Sequence, residues 1–165
     1  METTYAIKAL DETTWDAFAA LVEHNNGVFG GCWCIGFHPE GGDKQTTREL
    51  NRRRKLERVK AGTTHAALVF DGDECVGWCQ FGAPAELPRI KSRAAYEKGL
   101  STPPDWRIAC NFVGKGHRRR GVATALVAWL EAEAAKGDIF GTVLDTARQR
   151  GLAGFQDSAE AQAAW

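Results

Sequence analysis

The sequence lacks a net charge, long apolar runs and an even set of cysteines, and each absence excludes a class of protein. Lysine plus arginine and aspartate plus glutamate number 21 each, so no overall field attracts nucleic acid or an anionic membrane. No apolar run reaches the roughly 18 residues of a membrane-spanning helix, and residues 1–15 contain no secretory signal. Five cysteines without such a signal favour reduced thiols. We therefore expect a cytoplasmic protein with no nucleic-acid or membrane partner.

Residues 105–136 are the most informative segment, because they combine a predicted strand, a turn between glycines and an amphipathic helix. Arg118, Arg119 and Arg120 precede the helix, whose first N–H groups lack backbone partners and carry the positive end of the helix dipole. Without a bound anion, the turn would hold three arginines next to the positive end of the helix dipole, which is unfavourable. A bound phosphate would instead meet oriented amides and guanidinium groups. The segment therefore predicts a phosphate-binding site.

The glycine spacing in this turn excludes two common nucleotide-binding motifs. Gly116 and Gly121 have the spacing of a P-loop, but the lysine and hydroxyl residue that should follow are absent. A dinucleotide-binding loop needs a third glycine where this chain has Arg119. The pattern that fits is [RQ]xxGx[GA], through Arg118, Gly121 and Ala123.

Together with the strand before it, this pattern resembles the signature segment of the GNAT superfamily of N-acetyltransferases. The resemblance implies that the arginine turn and the helix start hold the pyrophosphate of acetyl-CoA, and that the end of the strand offers main-chain groups to the pantetheine arm. The cofactor-binding residues that it implies are Phe112, Val113, Gly114, Arg118, Arg119, Arg120, Gly121, Val122, Ala123 and Thr124.

Strands and helices alternate along the chain, which places the fold in the mixed α/β class. We predict strands at residues 3–10, 65–70, 75–81 and 106–113, and helices at residues 15–22, 44–61, 89–99 and 119–136. Asp71 and Gly72 are a strong turn signal between the second and third strands, which predicts a hairpin. The family resemblance implies a GNAT-like central mixed sheet flanked by helices, in a single domain over residues 1–165.

Residues 138–165 form an atypical tail. Residues 139–145 have the composition of one more strand, but residues 157–165 are an alanine-rich helix former without a β-branched residue. The last two strands of the family are therefore missing or unrecognisable. An uncovered sheet edge would favour association, and we expect a possible homodimer.

The acceptor side is expected in the apolar stretch 28–39, which should lie across the core. The resemblance implies that Cys32, Trp33, Phe37 and His38 line the acceptor pocket. A zinc site is the alternative, but one residue between Cys32 and Cys34 is too short a spacing and no second ligand pair lies nearby. We expect no metal.

No catalytic residue can be assigned from the sequence. Cys110 is expected in the core, because alternation places it with Ile108 and Phe112 on one face of its strand, opposite Val113. The family often uses a tyrosine as general acid after the next strand, where this chain has none. Carboxylates that could accept the amine proton are Glu74, Glu86 and Asp105, with a water chain to His38 as a further possibility.

These observations predict an acetyl-CoA-dependent N-acetyltransferase that acetylates an amine of a small molecule or peptide by direct attack. Two alternatives stay open: a GNAT-like protein that binds CoA without catalysis, and an interaction domain that grips a phosphorylated partner. An RNA-binding role for residues 52–60 is disfavoured, since Leu50, Leu56 and Val59 form an apolar stripe typical of a helix with a solvated charged face.

Overall fold

The computed structural model describes residues 4–102, 104 and 106–135. Its four strands form one antiparallel sheet in the order β1-β2-β3-β4, with β1 at Ala6–Ala9, β2 at His65–Asp71, β3 at Glu74–Gly82 and β4 at Arg107–Val113. The helices are α1 at Trp15–His24, α2 at Val28–Gly31, α3 at Arg48–Ala61, α4 at Arg93–Lys98 and α5 at Val122–Ala135. The predicted mixed α/β class and the hairpin of β2 and β3 are confirmed.

The tail at residues 138–165 lies outside the described residues, as does Asp105. The expectations of one more strand, of missing closing strands and of a homodimer therefore stay predictions. The same holds for the single domain over residues 1–165.

Each face of the sheet carries its own apolar core. On one face, Trp78 of β3 packs with α1 and with the stretch after α2, including Phe18 and Trp33. On the other face, α5 packs Val122, Leu126 and Leu130 against β2 and β3. The prediction that the stretch 28–39 crosses the core is confirmed for residues 33–35, all of which are buried.

Helix α3 begins and ends at residues suited to those positions. The Thr47 hydroxyl accepts a hydrogen bond from the Leu50 N–H at 3.1 Å, which caps the start of the helix. Gly62 ends the helix with a φ of 67°, a left-handed conformation that glycine adopts without strain. The predicted apolar stripe is only partly correct, because the buried residues of α3 are Asn51, Lys55 and Val59.

Strand β4 does not alternate as the sequence predicts. Its pairing with β3 shifts register between Gln80 and Phe81, so that Gln80 faces Cys110 whereas Phe81 faces Ile108. The irregularity inserts Ala109 as an extra residue. Cys110 consequently packs with the α1 side of the sheet, while Ile108 packs with the α5 side. The prediction that both residues share one face is wrong for this reason.

Candidate active site

The arginine turn connects β4 to α5, which begins at Val122 rather than at residue 119. Arg119 and Gly121 have left-handed φ angles of 60° and 81°, and these end the turn before the helix can start. The first bond of this helix start runs from the Ala125 N–H to the Gly121 carbonyl at 2.9 Å. The N–H groups of Val122, Ala123 and Thr124 therefore have no carbonyl partner within the helix, because no helical turn precedes them. They form the kind of amide cluster that anions occupy.

Neighbouring elements hold this turn in place. The Arg118 guanidinium donates to the Val113 carbonyl at 3.3 Å, and the Tyr5 hydroxyl of the chain's first segment donates to the Arg120 carbonyl at 2.9 Å. His117 Nε2 lies 3.7 Å from the Asp71 carboxylate in the hairpin turn. The turn is therefore fixed at several points before any ligand arrives.

Gly121 leaves open space at the centre of the turn. A Cβ built on this glycine would meet no heavy atom within 4 Å among the described residues. The Arg119 and Arg120 side chains beside it are exposed. The end of the turn therefore combines positive charge, helix amides and space that no side chain of residue 121 fills.

Phe112, Val113 and Gly114 lie at the free edge of the described sheet. β4 is the last strand in the order, so its outer main-chain groups face no other described strand. Phe112 is fixed from behind, since its ring stacks on Trp78 with centroids 4.8 Å apart. Strand edges of this kind are where extended chains that carry amide groups pair.

The four residues implied for the acceptor wall occupy different environments. Trp33 is buried and stacks on Trp15 at 5.8 Å, whereas Cys32 is half-buried. His38 is fully buried, at 0% exposure. Phe37 is half-buried and borders an open cavity of about 480 Å³. Only Phe37 of the four lines this cavity, and the role of all four stays a prediction.

The cavity beside Phe37 has a cationic lining. Its wall consists of Gly36, Phe37, Pro88, Arg89, Ile90, Lys91 and Arg93. Arg93 of the wall pairs with Glu97 at 2.6 Å. Three further carboxylates pair at 2.7–2.9 Å with basic side chains outside the wall: Glu40 with Arg58, Asp43 with Arg54, and Glu86 with His65. Within the described part of the chain, no carboxylate pairs with Arg89 or Lys91 at 4 Å or less. The cavity therefore favours an anionic group.

A buried polar chain lies behind the cavity. Lys55 Nζ donates to the Thr64 hydroxyl at 2.8 Å, and Thr64 Oγ1 lies 3.2 Å from His38 Nε2. His38 Nδ1 lies 3.1 Å from the Glu86 carbonyl, which only accepts, so Nδ1 carries the proton and Nε2 is the acceptor. Burial, with the nearby charges of Lys55 and Arg58, lowers the pKa of His38 to about 3. At physiological pH, His38 is therefore neutral and has a structural role in this buried hydrogen-bonded network.

Acid should destabilise the protein through His38. The folded state keeps His38 neutral down to about pH 3, whereas an unfolded histidine binds a proton below about pH 6.5. Stability therefore falls as pH drops through this window, by up to about 1.4 kcal/mol per pH unit. We expect the free energy of unfolding in urea to decline less between pH 7 and pH 5 in His38→Gln. Equal slopes for the two proteins would contradict a neutral His38.

Of the three carboxylates considered as proton acceptors, the structure describes Glu74 and Glu86. Glu74 is exposed in the hairpin. Glu86 binds His65 Nδ1 at 2.8 Å, and His65 in turn packs edge-on against Trp106 at 5.2 Å. The sequence alone assigns no role to His65. The signal that points to this residue is the hairpin register, which places His65 opposite Phe81 at the open end of the hairpin. The general base stays unassigned.

Neither a metal cluster nor a membrane span is found in the described ranges. No group of three or more histidine, cysteine, aspartate or glutamate side chains there has the geometry to hold a metal ion. No helix in this part of the chain is long and apolar enough to cross a membrane.

Solved structures with a similar fold are acetyltransferases. A probable acetyltransferase is 17% identical, with 94% of this chain and 92% of that chain covered and a TM-score of 0.51. The aminoglycoside N-acetyltransferase AAC(6')-Iy, solved with CoA, is 13% identical over 82% of this chain and 72% of its own, with a TM-score of 0.50. The ribosomal-protein-alanine N-acetyltransferase from Brucella melitensis biovar Abortus 2308 is 15% identical over 81% and 73%, with a TM-score of 0.48.

The family assignment comes from the sequence. No curated protein matches the chain significantly. The model of the acetyltransferase (GNAT) family, however, matches residues 32–153. This match covers most of the 165 residues, including the arginine turn and the start of α5. The chain therefore belongs to the acetyltransferase (GNAT) family.

Proposed function

We propose that this chain transfers the acetyl group of acetyl-CoA to an amine. The observation that carries the proposal is the start of α5, where helix amides without an intrahelical partner follow Gly121, whose Cβ position is open, and the exposed Arg119 and Arg120. Residues from Arg118 to Thr124 would hold the pyrophosphate, and the edge of β4 at residues 112–114 would pair with the pantetheine arm. The CoA complex of AAC(6')-Iy, which has a similar fold, supports acetyl-CoA as the donor.

The proposed reaction needs no covalent enzyme intermediate. A neutral amine attacks the thioester directly when the two are held together, and a nearby group or water accepts its proton. Cys110 is the cysteine of β4, but its sulfur is buried against Cys34 rather than directed to the free edge. Direct transfer therefore agrees better with the geometry than acylation of this thiol.

Binding of CoA is the first test. We expect an affinity on the order of 10 μM, about −7 kcal/mol, in isothermal titration. Pantetheine, which lacks the pyrophosphate, should bind far more weakly. Raising the salt concentration should weaken CoA binding, because exposed guanidinium–phosphate contacts are screened over about 8 Å at physiological ionic strength. No heat and no thermal shift with millimolar CoA would contradict the proposal, while CoA binding without thiol release across a panel of amines would indicate an inactive relative.

The cationic cavity predicts the charge of the acceptor. Arg89 and Lys91 attract an anionic group and repel polycations such as aminoglycosides. Among dipeptides with free amino termini, those with a glutamate side chain should give faster thiol release from acetyl-CoA than matched glutamine dipeptides. The double variant Arg89→Gln, Lys91→Gln should remove most of this preference for glutamate without weakening the binding of CoA. Equal rates for the two dipeptides would exclude the cavity as an acceptor site.

A further inference from the structure

Two buried cysteine sulfurs meet between the stretch after α2 and strand β4. Cys34 and Cys110 are 2% and 8% exposed, and their Sγ atoms lie 3.3 Å apart. The Trp78 indole N–H donates to Cys34 Sγ, also at 3.3 Å. The two residues are 76 positions apart in sequence. A disulfide has a sulfur–sulfur distance of about 2.05 Å, so a small movement would suffice to form one.

The surroundings make these two thiols chemically unequal. The hydrogen bond with Cys110, the Lys55 ammonium and the Trp78 N–H together lower the pKa of Cys34 despite its burial. The same hydrogen bond and burial raise the pKa of Cys110. Cys75 and Cys79 differ from Cys34, since burial raises the pKa of each to about 12. Cys34 is thus the thiol with thiolate character, which makes it the better nucleophile.

We propose that Cys34 and Cys110 form a reversible disulfide when the protein meets a hydroperoxide. The Cys34 thiolate attacks one peroxide oxygen, the O–O bond breaks, and the departing hydroxide takes a proton to become water. Cys34 is then a sulfenic acid. The Cys110 thiol displaces the hydroxyl group from Cys34 sulfur, and a second water leaves with the thiol proton. In total, two thiols and hydrogen peroxide give one disulfide and two waters.

The backbone next to Cys34 is strained. Trp33 and Cys34 both have left-handed φ angles, 52° and 55°, which cost of order 1–3 kcal/mol each in residues other than glycine. A stretch that stores strain opens locally at a lower free energy. Cys32 of the same stretch is already half-exposed. Hydrogen peroxide is close to water in size, so a brief local opening of this stretch would be enough to admit it.

A disulfide here would connect both halves of the proposed active site. Cys34 lies three residues before Phe37 at the cavity, and Cys110 lies two residues before Phe112 at the edge of β4. A bond between the two sulfurs would therefore tie the acceptor side to β4. Neither thiol takes part in the proposed acetyl transfer.

Mass spectrometry of the full-length protein tests the pair directly. After treatment with hydrogen peroxide, the intact chain should lose the mass of two hydrogens and regain it with dithiothreitol. Peptide mapping without reduction should identify a Cys34–Cys110 cross-link. Oxygen addition at cysteine without this cross-link, or a cross-link between other cysteines, would overturn the proposal.

Variants separate the roles of the two sulfurs. Cys110→Ser should leave Cys34 as a sulfenic acid that dimedone traps, whereas Cys34→Ser should leave Cys110 as a thiol. Cys79→Ser is the matched control, because it removes another buried cysteine and should keep the cross-link. Lys55→Met should slow cross-linking at pH 7 several-fold, because loss of the ammonium raises the pKa of Cys34 above about 7 and lowers its thiolate fraction. Equal rates for Lys55→Met and wild type, or dimedone labelling at Cys110 in Cys34→Ser, would contradict the assigned roles.

Discussion

Gly121→Val should reduce CoA affinity by at least on the order of 100-fold, about 2.7 kcal/mol, because the new side chain enters the space assigned to the pyrophosphate. Gly121 has a φ of 81° and an open Cβ position, so valine meets backbone strain but no clash with the described protein. That strain costs of order 1–3 kcal/mol of folding stability. Isothermal titration with CoA measures the effect on binding, and urea unfolding measures the effect on stability.

Gly62→Val is the matched control for this change. Gly62 also has a left-handed φ, 67°, and no heavy atom within 4 Å of its Cβ position, but it ends α3 rather than starting α5. Both variants should lose a similar amount of folding stability, and only Gly121→Val should lose affinity for CoA. Similar losses of affinity in both would show that strain, rather than the filled site, weakens binding.

Arg119→Ala should have a smaller effect than Gly121→Val. A hydrogen bond to a charged group contributes about 1.5–3 kcal/mol when buried and less at an exposed site, and the Arg119 side chain is exposed. Two neighbouring arginines and the helix amides remain in this variant. An equal loss of affinity in Arg119→Ala and Gly121→Val would count against a site built mainly from backbone amides.

Local signals in the sequence were sufficient for the turn and the hairpin. Asp71 and Gly72 predict the hairpin because glycine adopts the left-handed angle that the turn requires, and Gly72 has a φ of 61°. The arginine turn was found from glycine spacing in the same way. The start of α5 was predicted three residues too early, because left-handed angles at Arg119 and Gly121 are not visible in helix propensity.

Features that depend on contacts between distant segments were not predictable. The face that Cys110 presents is set by a register shift against β3, which no pattern within β4 reveals. Lys55 stands in a highly charged helix and was expected on its solvated face. Its burial depends on Thr64, which lies after the end of α3, and on the thiols of another segment. The contact between Cys34 and Cys110 likewise depends on the completed fold.

Lys55→Ala should lower the free energy of unfolding by about 2–5 kcal/mol, the usual range when a long buried side chain is truncated and leaves a cavity. Lys55 is 1% exposed and donates to Thr64 at 2.8 Å. Lys55→Met fills nearly the same volume and removes the cost of burying an ammonium group. We therefore expect Lys55→Met to stay close to wild type in urea unfolding at pH 7. Lys60→Met, at an exposed lysine of the same helix, should change stability by less than about 0.5 kcal/mol.

The pH dependence of the same variants separates charge from volume. Burial lowers the pKa of Lys55 below 10.5, so between the lowered value and 10.5 the unfolded state binds the proton more readily than the folded state. Wild-type stability should therefore gain a contribution that rises with pH across this window, and Lys55→Met should lack it. If Lys55→Met instead costs as much as Lys55→Ala at pH 7, the ammonium itself stabilises the fold. The Cys34 thiolate, whose negative charge favours the protonated lysine, would then be the partner that offsets its burial.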